Sequence, residues 1–270
     1  MTTTTTATDL APAARASGPA STLVVELTFI GRGLRHTVRN VDALVTALAL
    51  PVMVMLLFVY VFGTAIDTGV DYVDFVVPGI ILLCASFGAA STAVGVCQDK
   101  VGGVLDRVRT LPVRSSAVLT GHVVASLVRN MVSTAIVLGV ALLVGFRPSA
   151  GPVEWLAVVG LIALFILALT WLSTAIGLIA GSVESASAFG FFVLFLPYLS
   201  SAFVPTGNLR AGLRTAAEHQ PVTPIVDTLR GLLTGTPIGA DGWWAVGWCL
   251  ALLVPSVACA SWLFRRQGDA

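Results

Sequence analysis

The chain carries few groups that could do chemistry, and their placement narrows what that chemistry is. Its three histidines, His36, His122 and His219, are far apart and fall in no HExxH zinc helix. His219 follows Glu218, an adjacent acid/base pair whose position between two apolar stretches reads as a loop or interfacial contact. The four cysteines, Cys84, Cys97, Cys249 and Cys259, lack CxxC or Cys/His metal spacing and read as small buried hydrophobes. No GxxxxGK[ST] phosphate loop, GxGxxG dinucleotide turn or GxSxG nucleophile elbow occurs. The expectation is a noncatalytic chain that binds no cofactor or metal directly. If it moves a solute uphill, the energy comes from a bound partner or an ion gradient.

Ion coupling needs a titratable group inside the membrane. Asp42, Glu154 and Glu184 all sit at the edges of apolar runs, which disfavours an ion-coupled carrier or channel and favours mechanical drive from a partner. Arg129 is the exception, inside an apolar run and 17 residues from its end at Phe146, or ~26 Å along a helix. Its guanidinium is expected to snorkel to the cytoplasmic headgroups. The alternative is a polar contact between helices or along a transport path.

The elements that must hold these groups are hydrophobic helices. Of the 270 residues, 56% are hydrophobic and 11% charged, and mean hydropathy is +0.93, far from a soluble domain. Six apolar windows, about 43–62, 75–97, 117–146, 155–180, 186–204 and 243–264, approach or exceed the ~20 residues that span a bilayer as a helix. Lipid offers the backbone no hydrogen bonds, so runs of this length are helices. The expected organisation is an all-α membrane domain over 22–266, a disordered cytoplasmic tail over 1–21 and a short tail over 267–270. The first tail is polar, with neither the basic start nor the apolar core of a cleavable signal.

Basic residues set the orientation. Arg15, Arg32, Arg35, Arg39, Lys100, Arg107, Arg109, Arg114, Arg265 and Arg266 fall on one side, against Arg147, Arg210, Arg214 and Arg230 on the other. The positive-inside rule then places both termini and the loop 98–116 in the cytoplasm, and 205–242 outside. No extended polybasic tract suggests a nucleic-acid partner.

Three segments are neither spans nor plain loops. Residues 21–44 carry Leu23, Leu27, Ile30, Leu34, Val38 and Val41 at helical spacing, with Glu26, Arg32, Arg35 and Arg39 mostly off that stripe. This is the pattern of a helix in the membrane plane, or of one packed on another protein. In the cytoplasmic loop, Val101, Val104, Leu105, Val108 and Leu111 form a short stripe ending before Pro112. Such a helix can dock on something below the membrane or remain a solvated turn. Outside, Asn208 is expected to cap a short helix bearing Leu209, Leu213, Ala216 and Ala217. Thr223 is expected to N-cap a second, with Pro224 at its first position and Gly235 just past its end.

With these segments in view, LDRVRTLPVRSSAVLTGHVVASLVRN (105–130), GFRP (145–148) and FVPTGNLRAGLRTAAEHQPVTPIVDTLRGLLTG (203–235) resemble motifs of type-2 ABC exporter permeases, in particular the daunorubicin-resistance branch. The resemblance covers about Glu26 to Arg266. It implies a six-helix permease of the bacterial plasma membrane with an N-terminal elbow helix, a cytoplasmic coupling helix and two short re-entrant helices before the last span. It also implies a separate ATP-binding subunit, in two copies that bind ATP and Mg, and a second permease copy or a related permease. The coupling surface then comprises Leu105, Arg109, Pro112 and Val113 by motif match, Arg107, Leu111 and Arg114 by local pattern, and Glu26 and Arg35 on the elbow. The outer turn comprises Gln220, Pro221, Thr223, Pro224 and Arg230, joined by Asp227. The sequence departs from the family pattern at Ser115, His122 and Leu209-Arg210. The implied cargo is a hydrophobic or amphipathic small molecule, such as an antibiotic, although such permeases also move lipids and glycans. Phe191, Phe192, Phe195 and Tyr198, with Trp171, could line a path for it beside Arg129, or could simply pack helices. A noncatalytic membrane scaffold is the remaining rival.

Overall fold

The computed structural model describes residues 41–63, 65, 69–104, 115–205, 212, 214, 215, 217 and 220–266. Side chains are described from Leu48 in the first helix and from Leu119 in the third. The tail, the expected membrane-plane helix with Glu26 and Arg35, and the pair Glu218–His219 lie outside these residues. So do Leu105, Arg107, Arg109, Leu111, Pro112, Val113 and Arg114, and Asn208 and Leu209 of the expected first outer helix.

Every regular element among the described residues is helical. Helix α1, Val41–Leu57, continues into a π-helical turn, Phe58–Phe62. It is followed by α2, Tyr72–Val101, α3, Ser115–Val144, and α4, Pro152–Ile179. Next come α5, Val183–Phe195, with a 3-10 turn at Pro197–Leu199, then α6, Val222–Thr234, and α7, Asp241–Arg266.

Four of these, α2, α3, α4 and α7, are long and apolar enough to cross a membrane, so the chain is a multi-pass membrane protein. The expected first span, 43–62, falls on α1 and its π-helical turn, residues 41–62, whereas the expected fifth is a shorter helix, Val183–Leu199 including its turn. The fifth departs most from the reading of 186–204. Its start is fixed by a capping box in which Ser182 Oγ accepts from the Ser185 amide and Ser185 Oγ from the Ser182 amide. Pro197 cannot donate to a continuing ladder, so 13 residues, about 20 Å of helix, precede the break.

Helix α2 is the centre of the bundle, packed against α1, α3, α4, α5 and α6. Small residues allow the closest approaches, as expected where lipid supplies no hydrophobic drive between helices. A Cβ on Gly177 of α4 would lie 2.6 Å from the Ala93 carbonyl oxygen, and one on Gly79 would lie 2.5 Å from Ala202 Cβ. Cys84, Cys97 and Cys249 are buried as expected, whereas Cys259 is exposed on α7. Periodicity in so uniformly apolar a helix does not mark its inner face.

Candidate functional site

Helix α6 is too short to span, yet Ile225, Val226, Leu229 and Leu233 are fully buried against α2, α4 and α7. It begins earlier than the expected Thr223 cap. Pro221 occupies the N-cap position with backbone angles that are already helical. Thr223 instead donates its hydroxyl to the Ala217 carbonyl, and Pro224 falls in the first turn, where a missing N–H costs nothing. At the other end Gly235 adopts φ 73° and donates its N–H to the Gly231 carbonyl, the expected stop.

Arg230 fastens this helix to two other elements. Its Nε and Nη2 donate to the Phe75 carbonyl at the start of α2 (3.2 and 3.1 Å), and Nη2 also donates to the Ser201 carbonyl (2.8 Å). Nη1 pairs with Asp227 Oδ1 at 2.6 Å, and that carboxylate oxygen also accepts from Ser201 Oγ at 2.8 Å. The guanidinium carbon lies 3.9 Å from the Phe75 ring centroid, a cation–π contact. Burial raises the Asp227 carboxyl above its ordinary range, against the opposing pull of Arg230 and Ser201. Burial likewise lowers the Arg230 guanidinium, with Asp227 opposing. Tyr72 donates to the Phe203 carbonyl at 2.9 Å, and the Ser149 amide donates to the Leu233 carbonyl at 2.8 Å. The α2 start, the 197–203 turn and the loop before α4 are thus tied, directly or through one another, to α6. Of the expected turn residues, Arg230 and Asp227 meet in this clamp. Gln220 lies outside it, with a buried Nε2 that has no hydrogen-bond partner among the described residues.

Aromatic rings extend from the clamp. Phe58 lies 4.5 Å from Phe203, which stacks on Tyr198 at 4.9 Å, and Tyr198 is 6.2 Å from Phe195. Phe191, Phe192 and Phe195 point away from the bundle and are 64%, 68% and 61% exposed. Trp171 does not join them. It is buried with Val96, Leu119, Val123 and Phe264.

Arg129 meets hydroxyls of α2 and of its own helix. It lies within one residue of the midpoint of α3, and its Nη2 donates to Ser126 Oγ (3.2 Å), Ser91 Oγ (3.4 Å) and Thr92 Oγ1 (3.5 Å). Thr92 and Ser126 share a 2.6 Å hydrogen bond, and the neighbouring Asn130 fits over Gly88, where a Cβ would overlap its side chain. The partners on α2 are 37 and 38 residues away, so no local pattern announced them.

At the opposite end, Lys100 Nζ donates to the Leu178 and Ala180 carbonyls (2.7 and 3.2 Å), joining α2 to the C-terminus of α4. His122 Nε2 lies 3.1 Å from Asp99 Oδ2, joining α2 to α3. Sequence reasoning did not single out this brace. Lys100 in the last turn of α2 was the available signal, but its acceptors lie on another helix.

Residues 27–234 match the family described as ABC-2 type transporter. The chain is 28% identical over 252 residues to the daunorubicin resistance ABC transporter permease protein DrrB1 of Streptomyces coeruleorubidus, covering 92% of this chain and 87% of that protein. It is 27% identical over 270 residues to a probable doxorubicin resistance ABC transporter permease protein DrrC of Mycobacterium tuberculosis, covering 94% and 96%. With the family match running across most of this helical bundle, the chain belongs to the ABC-2 type transporter family and is a membrane permease of an ABC exporter.

Proposed function

We propose that the chain exports a hydrophobic or amphipathic small molecule of drug or antibiotic type, by alternating access driven by a separate ATP-binding subunit. The observation that carries the reading is α6, a short helix buried among long apolar helices and clamped by Arg230 to α2 and the 197–203 turn. A helix of this kind closes one end of a bundle and leaves a definite set of contacts to break on opening. The drug class follows the relatives, which are named for daunorubicin and doxorubicin resistance.

In this reading the chain makes six passes through the bacterial plasma membrane with both termini inside. The short segment Val183–Leu199 completes its pass beside neighbouring helices or a second permease. The assembly holds two permeases, identical or related, and two ATPase subunits that bind the ATP and Mg. Leu105, Arg107, Arg109, Leu111, Pro112, Val113 and Arg114, with Glu26 and Arg35, receive the closing motion of the ATPase. The Lys100 and His122–Asp99 contacts join α2 to α4 and α3 and pass the motion to both. The clamp of Asp227 and Arg230, with Gln220, Pro221, Thr223 and Pro224 around the turn, acts as the outer gate. Phe191, Phe195 and Tyr198 face the path or the second permease. A conformational change of this kind needs a ligand that binds the two states unequally, and ATP at the partner supplies it.

The test is co-expression with a candidate ABC ATP-binding subunit from the same organism. We expect copurification, cargo-stimulated ATP hydrolysis in proteoliposomes, and at least tenfold weaker association for the double variant Leu105→Glu, Leu111→Glu. Export that persists without any ATPase and follows a proton or sodium gradient would overturn the mechanism.

A further inference from the structure

Arg129 is a cation in the middle of an apolar helix with poor company. Its three contacts run from 3.2 to 3.5 Å, at or beyond the long end of N–H···O hydrogen bonds. All go to neutral hydroxyls. No described carboxylate lies within ion-pair distance, and the acidic residues of the long helices stand in their first turns or, for Asp99, near the end of α2. A charge inside a membrane domain ordinarily faces a partner or a wet cavity.

One of its acceptors opens onto a recess. Ser91 lines a cavity of ≈ 180 Å³ between α2 and α5, with Phe87, Ala90, Val94, Gly190 and Phe191 among its walls. The lining is almost wholly apolar, and the guanidinium sits one hydroxyl away from it. An apolar pocket with a few placed polar groups binds a ligand by its body and orients it by its polar end.

The geometry points to this recess as a binding site for a small amphipathic carboxylate, whose apolar body packs on Phe87 and Phe191 while its anionic end pairs with Arg129 beside Ser91. The recess is partly open rather than enclosed, and its ≈ 180 Å³ gives room for one ring or a short alkyl group against its walls. Charge selects the occupant. A carboxylate gains a charge-assisted, potentially bidentate bond to the guanidinium, a neutral amide gains less, and an amine meets a like charge with no carboxylate to receive it. The assignment goes beyond the permease reading, because it concerns this recess and sets no preference for the exported drug. Binding to the isolated chain does not require the ATPase, so the two stand or fall separately.

The experiment uses the full chain in phosphatidylcholine nanodiscs, with Cys259→Ser and a bimane probe on Ser187→Cys, a lining position to which the proposal gives no contact with the ligand. Ligands of one shape, 4-phenylbutyrate, 4-phenylbutyramide and 4-phenylbutylamine, are titrated against the fluorescence. The carboxylate is expected to respond at a tenfold or more lower concentration than the amide, and the amine to respond more weakly than both. Arg129→Gln should bring the carboxylate to the level of the amide, and Arg129→Lys should keep a reduced preference. Should Arg129→Gln fail to fold, the ligand series on the intact Arg129 and the Arg129→Lys variant carry the test. Equal responses of acid and amide, a preference that survives Arg129→Gln, or abolition of the carboxylate response by phosphatidylglycerol in the disc would each overturn the assignment. The last result would make the occupant a lipid.

Discussion

Arg230 shows how much one side chain can hold. It joins α6 to the carbonyls of Phe75 and Ser201 and pairs with Asp227, all from a mostly buried position. Removing one partner of a buried ion pair costs on the order of 3–5 kcal/mol, because the other charge is left uncompensated. We therefore expect Arg230→Ala to lower the thermal unfolding midpoint of the detergent-solubilised chain by the equivalent of about 3 kcal/mol. Arg230→Lys keeps the charge but loses the fork that reaches two carbonyls, so its loss should be intermediate. Asp227→Asn should cost least, because its side-chain oxygen still accepts from Ser201 and Arg230. A larger loss for Asp227→Asn than for Arg230→Ala would show that the carboxylate, not the guanidinium, is the anchor. In the sequence, Arg230 was marked by its match to the family motif and Asp227 by its place on the same short helix. Thr223 misled for a local reason, since its hydroxyl found a carbonyl across the turn rather than the amide a cap would serve.

At the scale of elements, close helix contacts depend on glycines whose importance is invisible along the chain. Gly79 and Gly177 face Ala202, Ala93 and Val96 with no room for a methyl group, whereas Gly139 of α3 has nothing within 4 Å of its would-be Cβ. Overpacking typically costs 1–3 kcal/mol. Gly79→Ala and Gly177→Ala should each destabilise the chain by about that amount, with Gly139→Ala within about 0.5 kcal/mol of the parent by the same unfolding measurement. Equal effects at the three sites would remove close approach as the reason. The helix ends are set by local residues, of which only Gly235 entered the sequence-based expectation. Pro152 at a first position, Ser182 at a cap, Pro197 after α5 and Gly235 after α6 act on their own backbone neighbours. The fifth segment still came out shorter than its apolar run, because hydropathy does not register the break at Pro197.

For the whole molecule, orientation is the open physical question that the distribution of basic residues answers in one direction. Thr236 lies just past α6 and is exposed, and the proposed topology puts it outside. In a Cys259→Ser background, Thr236→Cys in intact cells should react with a membrane-impermeant maleimide within minutes and be blocked by an external quencher. Labelling only after the membrane is opened would invert the topology and place the clamp on the cytoplasmic side, away from the proposed outer gate.

Composition and apolar run length alone established an all-helical membrane protein, because a backbone in lipid must satisfy its hydrogen bonds within each segment. The motif at 203–235 and the scarcity of interior carboxylates pointed from there to a permease powered from elsewhere. Folding in three dimensions settled which helix is central, which cation finds which carbonyl, and that Trp171 belongs to the core while Phe191 does not. The reason is separation along the chain. Arg230 reaches Phe75 across 155 residues and Arg129 reaches Thr92 across 37, and such meetings depend on how helices are rotated against one another, a quantity that no local pattern of hydrophobic residues contains in a chain apolar on nearly every face.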